Sequence, residues 1–335
     1  MGNKATKLSL PENISLNNVT AIVTGANRGI GYGITLALAR MGATVILACR
    51  SQESAKEAIE NLQLEHKSLW ENNNEGKFKK SILLYNNEEF QELKLQFMPL
   101  DLSSLRSIYK FIEDVKSLDK PIQLLICNAG IGNASQGYTE DGYERHFQIN
   151  YLGHCLIALE LLPIMNKSGE DIRIVQVSSL AHSMGKLDFN NVQGNKSYSR
   201  IQMYSNSKLF QIMFMFSLQQ KITGSNIGIL SVHPGVVATE INRNFQDSFL
   251  WRNFDNVLKG IGMMKDCKDG ASSAIIAAVS PAFKGCSGIY ISDRKCVATS
   301  KLSRNTGQQQ KLWDYTIGLL KEYLSEESLK FVEEN

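Results

Sequence analysis

Short apolar runs alternate with longer segments of mixed character along this chain, and that alternation predicts its architecture. Six runs have the length and composition of β-strands, within residues 19–24, 44–48, 96–101, 122–127, 172–177 and 227–232. The segments between them favour helices, the first at 30–40. Nearly continuous apolar strands that alternate with helices form parallel sheets covered on both faces. The sequence therefore predicts an α/β fold with a doubly wound parallel sheet, whose ligands bind beyond the carboxyl ends of the strands.

A glycine-rich turn joins the first strand to the first helix, with the sequence Thr24-Gly25-Ala-Asn27-Arg28-Gly29-Ile30-Gly31. Glycine lets the backbone turn tightly and approach a pyrophosphate, and a helix N-terminus offers free N–H groups and a partial positive charge. The spacing departs from the common G-x-G-x-x-G pattern, because three residues separate Gly25 from Gly29. By itself the loop fits either a dinucleotide site or a structural turn.

Further polar motifs fall at the ends of later strands. The fourth run leads into Asn128-Ala129-Gly130, the fifth ends at Ser178-Ser179, and the sixth ends at His233-Pro234-Gly235. Beyond the fifth strand, Tyr204 and Lys208 lie four residues apart, which places both on one face of a helix. Such a pair occurs by chance in many helices, so its meaning depends on the motifs around it.

Together these elements resemble the short-chain dehydrogenase/reductase family. The resemblance rests on Thr24-Gly25-xxx-Gly29-Ile30-Gly31, Asn128-Ala129-Gly130, Asn150, Ser179, Tyr204-xxx-Lys208 and Pro234-Gly235, in the family's order. Residues 173–182, 188–194 and the pair Leu312-Trp313 are similar to its retinol dehydrogenase branch. The resemblance covers roughly residues 17 to 320 and implies a single Rossmann-type domain. We expect a flexible leader at 1–16 and a C-terminal tail at 321–335. Polar clusters within about 65–92 predict a surface insertion before the third strand.

The resemblance also assigns roles to individual residues. Catalysis falls to Tyr204, Lys208, Ser179 and Asn150, with Asn150 supporting a water-mediated proton path to Lys208 and Ser178 left as structural. In the family's pattern, Asp101-Leu102 flanks an adenine and Asn128-Ala129-Gly130 the adjoining ribose. The residues expected to bind the cofactor are Gly25, Asn27, Arg28, Gly29, Ile30, Gly31, Arg50, Asp101, Leu102, Asn128, Ala129, Gly130, Tyr204, Lys208, Pro234, Gly235 and Thr239.

The chemistry of Tyr204 follows from charge. Hydride transfer to a carbonyl builds negative charge on its oxygen, so a proton donor must stand beside that oxygen. A phenol titrates near ~10, and a pKa near ~7 needs about 4 kcal/mol of stabilisation of the phenolate. A Lys208 ammonium ~5 Å away contributes about 3 kcal/mol at an effective dielectric near 20. Lysine and the charge of an oxidised nicotinamide are therefore expected to lower the pKa of Tyr204, while Ser179 holds the same oxygen.

The residues after the second strand bear on cofactor choice. An acidic residue there would bind the ribose hydroxyls of NAD, whereas an arginine accommodates the 2′-phosphate of NADP. This chain has Arg50 there and no carboxylate before Glu53, and Arg28 adds a second guanidinium in the glycine loop. Either the two arginines bind that phosphate or they are ordinary surface charges. The prediction is NADP(H).

Composition excludes several classes of partner. With 36 Lys and Arg against 33 Asp and Glu, the net charge of +3 gives no reason to expect a nucleic acid. The six cysteines and five histidines lack metal-ligand spacing, so no metal site is predicted. No apolar run is long enough to span a membrane. A cytoplasmic protein is expected. Its Met1-Gly2 start fits either N-myristoylation, with membrane association, or a plain disordered leader. A homodimer is expected only because dimers and tetramers are common in the family that the chain resembles.

The sequence thus predicts an NADP(H)-dependent oxidoreductase that interconverts an apolar aldehyde or ketone and its alcohol, with a retinoid-, polyprenoid- or steroid-like substrate. The aromatic side chains Phe245, Phe249, Trp251 and Phe254 either line a substrate lid or pack in the core. Two other functions remain open. One is a catalytically silent NADP(H)-binding regulatory protein, and the other is a membrane-surface scaffold.

Overall fold

The computed structural model describes residues 7–10, 13–74, 90–132, 134–235 and 267–334. Its centre is an eight-stranded sheet in the order β3-β2-β1-β4-β5-β6-β7-β8. The strands are β1 Thr20–Thr24, β2 Thr44–Cys49, β3 Leu95–Pro99, β4 Leu124–Cys127, β5 Ile172–Val177, β6 Ile227–His233, β7 Ile289–Ser292 and β8 Lys295–Cys296. The first seven are parallel, and β8 returns antiparallel to β7.

The strand order reverses between β1 and β4. From β1 the chain builds outward through β2 and β3, then crosses back to place β4 on the other side of β1. Loops that leave the carboxyl ends of β1 and β4 therefore diverge and leave a crevice between them, where open α/β sheets bind their ligands. The six predicted strands all form, each within two residues of its expected ends. This topology confirms the predicted doubly wound α/β fold.

Helices cover both faces of the sheet. They are α1 Gly29–Arg40, α2 Gln52–Asn74, α3 Leu105–Lys116, α4 Gly153–Asn166, α5 Arg200–Lys221, α6 Cys267–Val279, α7 Thr306–Leu320 and α8 Glu326–Glu334. One apolar core joins the sheet to α3, α4, α5, α7 and α8, and a second joins the opposite face to α1, α2 and α6. The strands are apolar nearly throughout because each faces a helical layer on both sides.

Strands β7 and β8 form a hairpin that the apolar pattern does not predict. Its turn is Asp293-Arg294, and both residues adopt positive φ, at 49° and 60°. Two successive left-handed residues are typical of the tight turn whose twist matches a hairpin. β7 has four residues, and Tyr290 and Ser292 interrupt its apolar character. So short and mixed a run gives little periodic signal.

Part of the segment before residue 17 contacts the rest of the domain. The N–H of Leu8 donates to the carbonyl of Arg294 at 2.7 Å, and the N–H of Leu16 donates to Met41 at 2.7 Å. Leu16 is buried, and Leu8 packs against the same core from its edge. Leu8 and Leu16 therefore lie against the core, and the flexibility expected of residues 1–16 stays a prediction. Residues 1–6 lie outside the described part of the chain.

The predicted insertion begins later than its polar composition suggests. Residues 65–74 continue α2, and the rings of His66 and Trp70 pack against Phe90, with centroids 5.2 Å and 5.5 Å away. The side chain of Gln63 exchanges hydrogen bonds with the backbone of Leu93. Widely spaced aromatic and apolar positions thus hold α2 against the start of β3. Residues 75–89 are not described, so the rest of the insertion stays a prediction.

The expected C-terminal tail contains a packed helix. Residues of α8 contact α4, and Val332 is buried in the same core as α5 and α7. Before α8, the N–H of Ser325 donates to the Glu160 carboxylate at 2.6 Å. The packed structure therefore continues beyond residue 320. The helix is short, and the apolar surface that its apolar side chains contact, on α4, forms only when the chain folds.

Although the sequence has no unbroken apolar run of spanning length, one helical stretch, Phe147–Asn166, is long and apolar enough to cross a membrane by length and composition. In the described part of the chain, 89% of its most apolar window is buried inside the fold. It is the central helix beneath the sheet, and neighbouring helices account for its apolar character.

Glu160 links three elements. One carboxylate oxygen accepts from Lys116 at 2.7 Å, and the other accepts from the backbone and hydroxyl of Ser325 at 2.6 Å and 3.0 Å. Burial tends to raise the pKa of this carboxyl, but the bonds from Lys116 and Ser325 outweigh it and lower the pKa. We predict that Glu160→Gln lowers the free energy of unfolding at neutral pH by about 1–3 kcal/mol, since a charged hydrogen bond is lost.

The pH dependence of that loss has a defined sign. A depressed folded-state pKa adds stability that is fully present above the unfolded-state pKa of about 4.3 and disappears as the pH falls through the folded-state value. Denaturant titrations between pH 2 and 7 should therefore show parent and variant converging in acid. Glu113→Gln is the matched control, because Glu113 faces the same lysine from an exposed position 3.9 Å away. A Glu160→Gln deficit that is equal at every pH would contradict the assignment.

Candidate active site

The glycine loop is shaped by close backbone approach. Gly25 and Gly29 adopt positive φ, at 65° and 58°. A Cβ on Gly31 would lie 2.2 Å from the carbonyl oxygen of Gly25 and 2.5 Å from the Asn128 side chain. No side chain fits there, so the start of α1 lies directly against the loop. The side chain of the neighbouring Ile30 is partly buried and packs against the core.

Thr24 joins this loop to the loop that follows β4. Its hydroxyl oxygen accepts the backbone N–H groups of Asn128 and Ala129, both at 2.9 Å. The amide of Asn128 returns a hydrogen bond to the carbonyl of Thr24 at 2.9 Å. The Asn128 amide group thus joins the loop after β4 to the end of β1.

The two arginines flank the carboxyl end of β2. Arg28 precedes α1 and Arg50 follows Cys49, and both side chains are exposed. Burial raises the pKa of the Cys49 thiol, while N–H groups of Asn27 and Ala26 and the charge of Arg28 oppose that rise. Arg28 therefore lies within electrostatic reach of the residue next to Arg50. The first carboxylate after β2 is Glu53, on the exposed first turn of α2.

Asp101 and Leu102 lie at the carboxyl end of β3, where an adenine is expected. One oxygen of Asp101 accepts from the backbone and hydroxyl of Ser103, at 2.9 Å and 2.6 Å. The Leu102 side chain is buried next to Gly153. Leu102 can therefore contribute only its backbone to a ligand.

Ser179 and Tyr204 are brought together from different elements. Ser179 follows β5, and Tyr204 lies on the first turns of α5. Burial raises the pKa of the Tyr204 phenol, and a hydrogen bond with the Ser179 hydroxyl opposes that rise. Ser178 points away and donates to the carbonyl of Lys208 at 3.0 Å, as expected of a structural serine.

Lys208 is buried beneath the tyrosine. Its ammonium donates to the carbonyl of Val177 at 2.9 Å and to Gln211 at 3.1 Å, and it lies 5.8 Å from the centroid of the Tyr204 ring. Burial lowers the pKa of Lys208 to about 7. The ammonium is thus only partly charged near neutral pH.

The expected lowering of the Tyr204 pKa by Lys208 is not found in the protein without cofactor. Two effects explain the difference. Burial raises the pKa of the phenol, and the same burial removes part of the charge on Lys208 that would have lowered it. The attraction between the two groups is therefore outweighed by the desolvation of each.

Asn150 lies in a π-helical turn, Phe147–Leu152, that leads into α4. Its side-chain oxygen accepts the N–H of Ile131 at 2.8 Å, and its amide donates to the carbonyl of Ile131 at 2.9 Å and to Ser207 at 3.0 Å. A Cβ on Gly130 would lie 3.1 Å from Asn150 and 3.7 Å from the Lys208 ammonium. The Asn128-Ala129-Gly130 loop is therefore held at both ends, by Thr24 and by Asn150.

Several polar residues at this site escape sequence reasoning. The rings of His146 and Tyr204 lie 6.4 Å apart, and buried Glu144 accepts from His146 at 2.8 Å. Buried Tyr290 approaches His182, whose ring centroid is 5.1 Å away. His154 is fully buried on α4. In the sequence, a residue of this kind is marked only by being a lone polar residue in an apolar run. That pattern is found for packed residues as well as for functional ones.

Pro234 and Gly235 follow β6 beside the end of β5, where His233 accepts from the N–H of Leu180 at 3.3 Å. Thr239 and the aromatic set Phe245, Phe249, Trp251 and Phe254 lie outside the described residues, so their predicted roles stay predictions. Within the described ranges, no group of three or more His, Cys, Asp or Glu side chains could hold a metal ion.

Comparison with known proteins gives concordant results. A family model described as short chain dehydrogenase matches residues 19–71 and 75–248. Retinol dehydrogenase 12 of Mus musculus is 32% identical over 309 residues, which cover 92% of this chain and 88% of the relative. Polyprenol dehydrogenase of Homo sapiens is 33% identical over 298 residues, 88% of this chain and 82% of the relative.

Among solved structures, a protein from Mycobacterium paratuberculosis superposes with a TM-score of 0.71 at 25% identity, and the match covers 94% of this chain and 98% of that one. The matched segments contain the glycine loop, the end of β5 and the Tyr204–Lys208 turn. The predicted resemblance is confirmed. The chain therefore belongs to the short-chain dehydrogenase family of oxidoreductases.

Proposed function

We propose that this protein is an NADP(H)-dependent oxidoreductase that interconverts an apolar aldehyde or ketone and its alcohol. The observation that carries the proposal is the grouping of Ser179, which acts on the Tyr204 phenol, with buried Lys208, whose ammonium lies 5.8 Å from the Tyr204 ring centroid, next to a glycine loop closed by backbone contact. A proton donor, an oxygen-positioning hydroxyl and a dinucleotide cradle lie at one edge of the sheet.

The residues present suit a nicotinamide dinucleotide, which the family uses in its NAD(H) or NADP(H) form. The absence of side chains at Gly25 and Gly31 lets the loop, the start of α1 and the loop after β4 lie in close contact, and the N-terminus of α1 begins at this loop. Bound cofactor would supply or accept the hydride. Lys208 uses two N–H bonds within the protein and can direct the third toward a ribose hydroxyl.

Tyr204 is suited to donate a proton during carbonyl reduction. Its raised pKa keeps the phenol protonated at neutral pH, so the donor is present whenever a carbonyl arrives. Ser179 would hydrogen-bond the same carbonyl oxygen and stabilise the charge that develops on it. Oxidation needs the phenolate instead, and the positive charge of the oxidised nicotinamide would favour that form.

The phosphate preference rests on Arg28 and Arg50, the cations that flank the end of β2 with no carboxylate between them. An acidic side chain at this place would repel a 2′-phosphate, whereas a guanidinium can bind it with two hydrogen bonds.

An apolar substrate is supported by the surface beside Ser179. Leu180 and Met184 on the short helix that follows Ser179 are 51% and 56% exposed, and Phe189 is 40% exposed. Large exposed apolar side chains that follow Ser179 in the chain fit an apolar ligand. The names of the retinol and polyprenol relatives agree with this chemistry. Myristoylation of Gly2, membrane association and a homodimer stay predictions from sequence.

The direct test is a panel of retinoid, polyprenoid, steroid and short-chain carbonyls assayed with NADPH and with NADH. Turnover of apolar members with NADPH is expected. Cofactor binding without turnover across the panel would favour the silent regulatory alternative.

We predict that Tyr204→Phe lowers kcat by at least about a hundredfold, the usual contribution of a general acid, because the change removes the phenolic proton. NADPH affinity, measured by fluorescence, should stay within a few-fold of the parent. Tyr109→Phe is the control, since Tyr109 is an exposed phenol on α3. Activity of Tyr204→Phe above a tenth of the parent would reject Tyr204 as the acid.

Cofactor affinity should weaken as the pH rises through about 7, the pKa of Lys208 in the unliganded protein. The charged ammonium is the form that binds the dinucleotide, so a bound anion raises its pKa. One linked proton then changes Kd by at most about tenfold per pH unit. NADPH titrations from pH 6.5 to 9 measure this, and NADH, which lacks the titrating 2′-phosphate, should show the same slope. Lys208→Met should bind weakly and without that slope, and a parent with no slope would refute the linkage.

Arg50→Ala should weaken NADPH binding by about ten- to a hundredfold, from about 1.5–3 kcal/mol per charged contact, and leave NADH nearly unchanged. Catalytic efficiency with both cofactors is the measurement. Arg304→Ala, an exposed arginine before α7, is the control. A parent that prefers NADH, or a variant that loses both cofactors equally, would remove NADP(H) from the proposal.

A further inference from the structure

His154 lies in the first turn of α4, in an otherwise apolar segment, and its side chain is fully buried. It does not reach the edge where a substrate would bind. Both ring nitrogens nevertheless have polar partners, and each partner belongs to the site. Nε2 lies 2.9 Å from the hydroxyl oxygen of Thr24, and Nδ1 lies 3.1 Å from the carbonyl oxygen of Asn150.

The chemistry of these partners determines the tautomer. A carbonyl oxygen can only accept, so Nδ1 must carry the proton that it shares with Asn150. The ring is neutral, because burial lowers the pKa of His154 to about 4 and the charge of Lys208 adds to that effect, against the bond to Asn150. A neutral imidazole with Nδ1–H has a bare Nε2. The hydroxyl of Thr24 must therefore donate to Nε2.

Thr24 can make this donation because its oxygen already serves as an acceptor. It receives the N–H groups of Asn128 and Ala129 at 2.9 Å. The other acceptor near this hydroxyl, the carbonyl oxygen of Ile126, is more distant, at 3.4 Å. The crevice loop thus donates two N–H groups to the Thr24 hydroxyl oxygen, and that hydroxyl donates its own proton to Nε2 of His154.

On the other side, Asn150 continues the series through its side chain. Its amide donates to the Ser207 hydroxyl at 3.0 Å, and Ser207 donates to the carbonyl of Tyr204 at 2.7 Å. The same side chain holds Ile131, which closes the crevice loop next to Gly130 and Lys208. Every donor and acceptor in this series is compatible with the next.

We propose that His154, fixed as its Nδ1–H tautomer, is a positioning residue that couples the cofactor crevice at Thr24 to the helical turn that carries Tyr204. The role rests on the proposed function, since positioning matters only if Tyr204 reacts with a carbonyl beside a bound dinucleotide. His154 itself touches neither cofactor nor substrate.

The first test needs no activity. Two-bond ¹⁵N–¹H correlation spectra of the unliganded full chain, labelled at histidine, identify His154 as the signal that disappears in His154→Gln. At pH 7 we expect a neutral ring with the proton on Nδ1 and a bare Nε2. An Nε2–H tautomer or an imidazolium would overturn the proposal.

The second test uses kinetics. We expect His154→Phe, which keeps a flat ring but loses both hydrogen bonds, to lower kcat at least tenfold with the carbonyl KM within threefold of the parent. His154→Gln, which keeps one donor and one acceptor, should recover kcat to within about fivefold. Leu156→Ala is the control for loss of packing, because Leu156 is buried on the same helix and takes no part in the series. If Leu156→Ala lowers kcat as much as His154→Phe at a similar loss of Tm, the role of His154 is structural only.

The coupling to Tyr204 is tested with Ser207→Ala. We expect it to lower kcat several-fold, and the double variant His154→Phe/Ser207→Ala to lose no more than about twice what His154→Phe loses alone, since both break one connected series. Losses that multiply, or a Ser207→Ala variant within twofold of the parent, would show that the two sites are not coupled. If the parent reduces no carbonyl, the proposed function and the positioning role both fail, and the NMR result then decides only whether His154 holds the Nδ1–H tautomer between Thr24 and Asn150.

Discussion

The hydroxyl of Thr24 is the contact on which the site depends. It lies where the strand order reverses, and it accepts two N–H groups from the loop after β4. The two loops diverge at this point, so without that contact nothing in the ladder between β1 and β4 would fix their separation. The absence of side chains at Gly25 and Gly31 lets the backbones close around the same point. The two loops are thereby held at a fixed separation at the carboxyl end of the sheet.

Burial is the second constraint, and it acts on both Tyr204 and Lys208. The same desolvation raises the pKa of Tyr204 and lowers that of Lys208. Without a ligand both groups therefore tend toward their neutral forms, and the charged forms become favourable when a ligand brings charge of its own. The buried setting thus makes cofactor binding and proton chemistry depend on one another.

Segments near both ends of the described chain pack against the elements that carry the site. Residues before β1 bind the turn between β7 and β8, and α8 docks on α4 through Ser325 and Glu160. α4 in turn carries His154, and the π-helical turn before it carries Asn150. The segment at 321–335, expected to be a tail, therefore helps to hold the central helix in place.

The sequence by itself determined the order of six strands, the glycine loop and the Tyr204–Lys208 turn, because each is encoded by neighbouring residues: apolar runs, backbone freedom and helical spacing. It did not determine β7 and β8, whose four- and two-residue strands carry too little periodic signal. The electrostatics and the link from Thr24 through His154 to Asn150 were decided only by the tertiary structure. Desolvation depends on what covers a group, and a hydrogen bond between residues 24 and 154 depends on a fold that brings distant segments together.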